Sequence, residues 1–291
     1  MIKEVAVGAR VVVIIPARNV ALTLPEQLAA LDAQTDLDFR VVVSDNGSTD
    51  GTRNVCESWK PLHRGISVVD SSARPGVAGA RNVAIEATDE ELILICDGDD
   101  RVHPQWVAAL RAGLQDADAA SGPLAAYVPG VPAENAVWFA EALPLSMNFK
   151  SFLPGCSMAF RRSVVELIGP FDEDLRLGQE DVDFGWRMND AGLRLVHRAE
   201  AVIDYRLRPG WRPLLRQQYR YGKAHVQLYL KHRPNTPPPI SWRASMRWFW
   251  HWTLQLPRAA REGRLRTSVG GATFQASRVL ESIRHRTRSP L

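Results

Sequence analysis

Apolar and polar positions alternate in blocks along the first hundred residues. Val11–Ile15 is an unbroken apolar run, the pattern of a strand buried on both faces. Leu24, Leu28 and Leu31 follow at helical spacing. Val41–Val43 predicts a second strand, Ile66–Val69 a third and Leu92–Cys96 a fourth, with a helix over Val77–Ala87. Strands that alternate with helices predict an α/β fold, a mostly parallel sheet with helices on both faces. Pro104–Leu114 predicts another helix, with Pro104 suited to its first turn. Residues 123–155 are rich in Pro, Gly and Ala and weakly periodic, so they are expected to be irregular and close to a site. Beyond them, Ser157–Phe160 predicts a short strand, Val182–Ala191 a helix, and Leu193–His197 and Ala201–Tyr205 further strands. A basic helical stretch runs from Arg212 to Lys231 and breaks at Pro234–Pro239.

Composition narrows the class. Of the 291 residues 45% are apolar and 23% charged, an ordinary globular balance with a sizeable core. Cys56, Cys96 and Cys156 are far apart and odd in number, which suits neither a disulfide framework nor a metal spacing and points to a reducing cytoplasm. The N-terminus lacks a basic-then-apolar layout, so no secretion signal is expected. No run reaches the roughly 18 uncharged apolar residues of a membrane span.

The net charge of +4 hides an asymmetry. Residues 1–205 carry 18 Lys and Arg against 30 Asp and Glu, a net of −12. Residues 206–291 carry 18 against 2, a net of +16, together with five of the nine tryptophans. The chain is an acidic body with a basic, aromatic tail.

Three acidic turns carry the candidate chemistry, and strand ends are where open α/β sheets bind ligands. Asp45-Asn46-Gly47-Ser48-Thr49-Asp50 follows the second strand. These residues form turns in their own right, yet Asp45 is also placed to accept a hydrogen bond from a nucleobase edge, with Pro16 and Asn19 forming the other wall. Asp97-Gly98-Asp99-Asp100 follows the fourth strand. Three carboxylates within four residues repel unless they are solvated or bind a cation, and hard oxygen ligands suit Mg2+ or Mn2+ carrying a substrate phosphate. Arg81 reads either as a contact to base or ribose or as a helix-surface arginine. Glu180-Asp181 stands where a helix is expected to start, so Asp181 is either a cap or a general base. The glycines of Gly76–Ala80 do not form a dinucleotide fingerprint, which excludes a nicotinamide site.

Taken together, the segments resemble the family 2 glycosyltransferases, which have a GT-A fold. The resemblance runs from residue 11 to about 205, in order. It rests on Ile14-Ile15-Pro16-Ala17-Arg18-Asn19, the Asp45–Thr52 turn, Ala80-Arg81-Asn82, and the Asp97–Asp100 turn as a DxD motif. Gly155-Cys156-Ser157-Met158 and Phe171-Asp172-Glu173 running into Glu180-Asp181 complete it. The resemblance implies an inverting transfer of one hexose or deoxyhexose from a nucleotide-sugar donor to an acceptor hydroxyl. It implies that Asp45 and Arg81 hold the base, Asp97 the ribose, and Asp99 with Asp100 a divalent metal. Asp181 is then the base, and Gly155, Cys156 and Glu180 lie on the acceptor side. Donor binding is expected over residues 1–122, the acceptor side over 123–205, and a helical basic extension over 206–291. Envelope polysaccharide, glycolipid or other glycoconjugate synthesis is the implied setting.

Two departures bear on that reading. Relatives often place a histidine after the base helix as a metal or phosphate contact, but Ala201–Tyr205 contains none, and His197 is assigned to strand structure. Polymerising members carry spans and a Gln-x-x-Arg-Trp motif. Here Gln217-Gln218-Tyr219-Arg220-Tyr221 matches only in part, which favours single addition, with Arg220 on a helix surface. Tryptophans beside arginines in Trp242–Leu256 suit a lipid headgroup region, so one reading of the tail is peripheral attachment at the inner face of the plasma membrane, near a lipid-linked acceptor. The other reading is a helical hairpin packed on the body. A nucleotide-sugar-binding partner without turnover is the alternative function. Nucleic-acid binding is not expected, since the body is acidic and no recognition motif is present.

Overall fold

The computed structural model describes residues 10–262 and 265–288. Residues 1–9 of the expected body, and 263–264 and 289–291 of the expected tail, lie outside the described residues, as do the side chains of residues 131–135 and of Trp242.

The first half alternates as the apolar pattern predicts: β1 (Val11–Ala17), α1 (Leu24–Asp32), β2 (Phe39–Asp45), α2 (Thr52–Ser58), β3 (Ile66–Asp70), α3 (Val77–Glu86) and β4 (Leu92–Cys96). There follow β5 (Arg101–Val102), α4 (Trp106–Asp116), β6 (Ala119–Ser121), β7 (Leu124–Val128), β8 (Val131–Trp138), and the short pair β9 (Leu145–Ser146) and β10 (Lys150–Ser151). β11 (Ser157–Arg161), α5 (Arg162–Ile168), α6 (Glu180–Asp190), β12 (Leu195–His197) and β13 (Ile203–Arg206) close the body. The tail is helical: α7 (Trp211–His232), α8 (Trp242–Leu254), α9 (Leu256–Arg261) and α10 (Leu265–Arg284).

The main sheet has the order β12-β6-β11-β4-β1-β2-β3. β4, β1, β2 and β3 are parallel, whereas β11 runs antiparallel to both β4 and β6. Alternation along β1 divides the core in two. Val11, Val13 and Ile15 face a cluster with Leu24, Leu28 and Trp106, and Val12 and Ile14 face another with Ile85, Phe160 and Phe184. Both faces are therefore covered by helices, and each fully buried aliphatic side chain contributes roughly 2 kcal/mol.

Direction places the site. The parallel strands β1, β2 and β4 all end at one rim, at Ala17, Asp45 and Cys96. Because β11 is antiparallel, its first residue, Ser157, stands opposite Cys96. Gly155 and Cys156 thus arrive at that rim from the other direction, at the kind of switch in the sheet where ligands bind.

Two expectations are corrected. Residues 123–155 are not irregular throughout: β7 and β8 form a second sheet with β5 and β13, in the order β5-β13-β7-β8, and only residues 139–155 are mostly loop. Leu124, Ala126 and Val128 are the buried face of β7, but the alanines at 125 and 126, one on each face, hide the period. Pro104 precedes α4 rather than opening it, and its carbonyl accepts a hydrogen bond from Thr35 N at 2.8 Å.

Candidate active site

Loops from β1 and β2 form one wall. Asp45, 8% exposed at the end of β2, accepts a hydrogen bond from Ser48 N at 2.9 Å. Asn19 adopts a left-handed backbone (φ 56°), and its side-chain oxygen accepts from Thr49 N at 2.8 Å. Val20 N donates to Thr52 Oγ1 and Ala21 N to the Asp50 carboxylate. Pro16 pairs in register with Ser44 at the strand ends. The wall is therefore held in shape by its own side chains, which lowers the ordering cost of binding. Asn46 extends it: its buried amide donates to the Ser71 and Arg74 carbonyls and accepts from Gly76 N, just ahead of α3. The sequence shows Asn46 only as a turn former.

The second acidic turn forms the floor. One carboxylate oxygen from each of Asp97, Asp99 and Asp100 lies within 4.8 Å of the others. The turn is held from beneath by Gln27, fully buried on α1, which donates to the Asp97 carbonyl (3.0 Å) and accepts from Val102 N (3.0 Å). Arg206 holds it from the side, donating N–H to Asp100 Oδ1 (2.8 Å) and Nε–H to the Asp99 carbonyl (2.9 Å). Asp100 Oδ2 is buried and has no hydrogen-bond partner. Burial, followed by Asp97 and Asp99, drives the Asp100 carboxyl well above its usual range. Asp97 is pushed up to about 7 by desolvation and its acidic neighbours, against the pull of Arg81. Clustered hard oxygens, one of them orphaned, fit a divalent cation.

The third wall comes from α6 and the turn before β11. Asp181 is the second residue of α6, after Gln179 in the capping position, so it is not the cap. Its Oδ2 accepts from Gly155 N at 2.9 Å. Arg81 joins this wall to the floor. It is 2% exposed, so the helix-surface alternative fails, and it donates to Glu180 Oε1 (2.8 Å) and the Gly155 carbonyl (3.0 Å). Its guanidinium also lies 3.7 Å from Asp97. A Cβ on Gly155 would come within 2.5 Å of Arg81 Nη2, so that close approach requires glycine. Glu180 is itself buried and turned onto Arg81, and Cys156 is also buried, its thiol held well above the usual range by burial. The structure therefore joins Arg81, Asp97, Gly155, Glu180 and Asp181 in one network. Asp45 bonds within its own turn instead, and Asn19 ties the loop after β1 to that turn.

Helix α7 closes the rim. Gln217 donates to the Tyr221 hydroxyl at 3.1 Å, and the Tyr221 ring packs over Gly178 just before α6. Burial, and the negative charge of Asp181, Glu180 and Asp97, push that phenol up to about 12, so it stays protonated. Arg220 is exposed and donates to the Arg176 carbonyl. His197 bonds the Phe139 carbonyl.

The sequence profile of glycosyl transferase family 2 matches residues 12–169, and that of glycosyl transferase family group 2 matches residues 92–261. Glycosyltransferase AglE of Haloferax volcanii is 29% identical over 228 residues, covering 76% of this chain and 74% of its own length. The pre-mycofactocin glycosyltransferase of Mycobacterium tuberculosis is 29% identical over 253 residues, 82% of this chain but only 52% of its own length. The chain thus spans about three quarters of one relative and about half of the other. Among solved structures, the mannosyltransferase PcManGT of Pyrobaculum calidifontis, in complex with GDP-Man and Mn2+, superposes with a TM-score of 0.62 at 19% identity. That likeness covers 95% of this chain and 75% of the other. S. aureus TarS 1-349 in complex with UDP-GlcNAc superposes at 0.52 with 16% identity, covering 96% and 92%. These likenesses give the fold, which is GT-A. With the family profile matched over more than half its length, across the turns after β1, β2 and β4, the chain belongs to glycosyl transferase family 2.

Proposed function

We propose that the protein transfers a single hexose or deoxyhexose from a nucleotide-sugar donor to an acceptor hydroxyl, with inversion at the sugar carbon. The observation that carries the reading is the rim itself, where the acidic turn and Asp181 arrive on different segments yet share the network through Arg81 and Gly155. In-line displacement needs that arrangement, with charge stabilisation on the leaving side and a base on the attacking side.

Asp45 accepts a hydrogen bond from the base edge, beside Pro16 and Asn19, and Asp97 one from the ribose. Asp99 and Asp100 would hold Mg2+ or Mn2+, which supplies positive charge against the diphosphate leaving group. Asp181 takes the proton of the acceptor hydroxyl as its oxygen bonds the anomeric carbon and the bond to the diphosphate oxygen breaks. Its hydrogen bond from Gly155 N fixes the carboxylate's direction. Arg81 and Glu180 act beneath these groups by holding Asp97 and the start of α6 together. On this reading residues 1–205 are the transferase and residues 206–291 an extension. The acceptor is lipid-linked, in glycoconjugate synthesis on the cytoplasmic side of the membrane.

The test is a panel of α-linked nucleotide sugars with a lipid-linked acceptor extract and Mn2+. Nuclear magnetic resonance then reads the anomeric configuration of the new linkage. A β-linked product supports the reading. An α-linked product, or donor binding with no transfer to any acceptor, would overturn inversion or turnover respectively.

A further inference from the structure

On α8 and α10 the buried positions are polar or small, while several large apolar side chains are exposed. Every buried residue of α10 is polar or glycine: Gln275, Arg278, Glu281 and four small residues. Its Leu280 and Ile283 are each 57% exposed. On α8 the pattern repeats, for Ser245 is fully buried while Trp250 is 55% and Leu254 75% exposed. Large exposed apolar surfaces beside polar rims mark places that something covers.

One face of α8 is specific about what covers it. Arg243, Arg247, Trp250 and Leu254 fall on successive helical turns, and all four are exposed. α8 carries no acidic residue, and the whole tail from residue 206 carries two against eighteen basic ones. A second copy docked symmetrically, with this face against its own, would bring like charge against like. No helix among the described residues is long and apolar enough to cross a bilayer, so the face lies on its partner rather than in it. An amphipathic helix with arginine and tryptophan on its outward side matches the headgroup layer of an anionic membrane in both charge and polarity.

We propose that the Arg243–Arg247–Trp250–Leu254 face of α8 docks on an anionic lipid bilayer. The tail is tied to the body, so docking also orients the site. Lys231 and His232, at the end of α7, both pair with buried Asp183 on α6, two residues after Asp181. α7 in turn packs closely on α10, where a Cβ on Gly222 would lie 2.4 Å from the Phe274 carbonyl. The inference says where the proposed transfer takes place. It stands on the tail alone, so its failure leaves the chemistry untouched.

The experiment is flotation of the full chain with vesicles of phosphatidylcholine alone and of an equimolar mixture with phosphatidylglycerol. The wild type is expected to float with the mixture, to stay behind with phosphatidylcholine, and to be released by salt. Arg243→Gln with Arg247→Gln is expected to weaken partitioning by about thirtyfold, the loss for two basic residues near a charged surface. Trp250→Ser with Leu254→Ser is expected to weaken it by about tenfold or more. All four residues are exposed, so the variants keep the fold, and nucleotide binding in solution is expected to be unchanged. Equal flotation of wild type and variants, or no preference for the anionic vesicles, would overturn the proposal. So would a sedimentation profile in which these substitutions dissolve a dimer, since that would make a second copy the occupant.

Discussion

Arg81 Nη1 donates to Glu180 Oε1 across 2.8 Å, and both side chains are buried although 99 positions separate them in the chain. The pair links α3, behind the donor wall, to the first residue of the helix that carries Asp181. A buried ion pair is costly to half-remove, because the remaining charge has no solvent to turn to. Arg81→Met is therefore expected to destabilise the fold by about 3–5 kcal/mol, and Arg81→Met with Glu180→Leu by clearly less. Chemical denaturation of the four proteins in that cycle checks this. Additive losses would mean that the two residues act independently.

Asp181→Asn keeps the shape and the Gly155 hydrogen bond but gives up proton acceptance. Transfer is expected to fall by about 100- to 10,000-fold with donor affinity unchanged. Steady-state kinetics paired with donor titration separates the two effects. An unaffected rate would remove Asp181 from the base role.

Protonation gives a third prediction. The folded-state pKa of Asp97 is raised to about 7, and those of Asp100 and Glu180 are also raised, with burial the first cause in each case. Between about pH 4 and pH 7 the folded state then binds more protons than the unfolded one, so these groups make metal-free protein less stable as pH rises through that window. A divalent cation competes with the same protons. Thermal denaturation should show a larger stabilisation by Mn2+ at about pH 8 than at about pH 5. A pH-independent increment would count against the acidic turn as the metal site.

Asp183 works in the opposite direction. Its full burial is outweighed by His232, Lys231 and Arg187, which hold its pKa down to about 2. It stabilises the fold above about pH 4, and that contribution is lost as pH falls through 2. Asp183→Asn is expected to lose about 2–3 kcal/mol at neutral pH and almost nothing near pH 2. Denaturation at both pH values gives the comparison.

Gln27→Ala tests support from beneath the acidic turn. Removing the two hydrogen bonds that fix Asp97 and Val102 is expected to weaken Mn2+ binding by about ten- to a hundredfold.

How much of this was legible in the sequence depends on how far each signal reaches. Runs such as Val41–Val43 and Leu92–Cys96 announce strands that lose water on both faces, and their ends locate Asp45 and Asp97 without further information. β7 escaped because Ala125 and Ala126 blur its alternation. Gln27 escaped because it sits between Leu24 and Leu28 on an apolar helical face, where only the neighbouring turn reveals why a polar group is tolerated. The Arg81–Glu180 pair escaped for a different reason. Each residue has its own reading, one on the donor and one on the acceptor side, and only the crossing of α3 and α6 brings them together. Arg206 stands just past Ala201–Tyr205, and it holds the acidic turn through backbone as well as side chain.

On the proposed function the acidic turn binds a nucleotide diphosphate through a divalent ion. Calorimetric titration with UDP, GDP and dTDP, with and without Mn2+, on wild type and Asp99→Asn tests it most directly. Binding of one nucleotide that requires Mn2+ and is lost in Asp99→Asn is the expected result. Binding of none of them, or equal binding by the variant, would contradict the account.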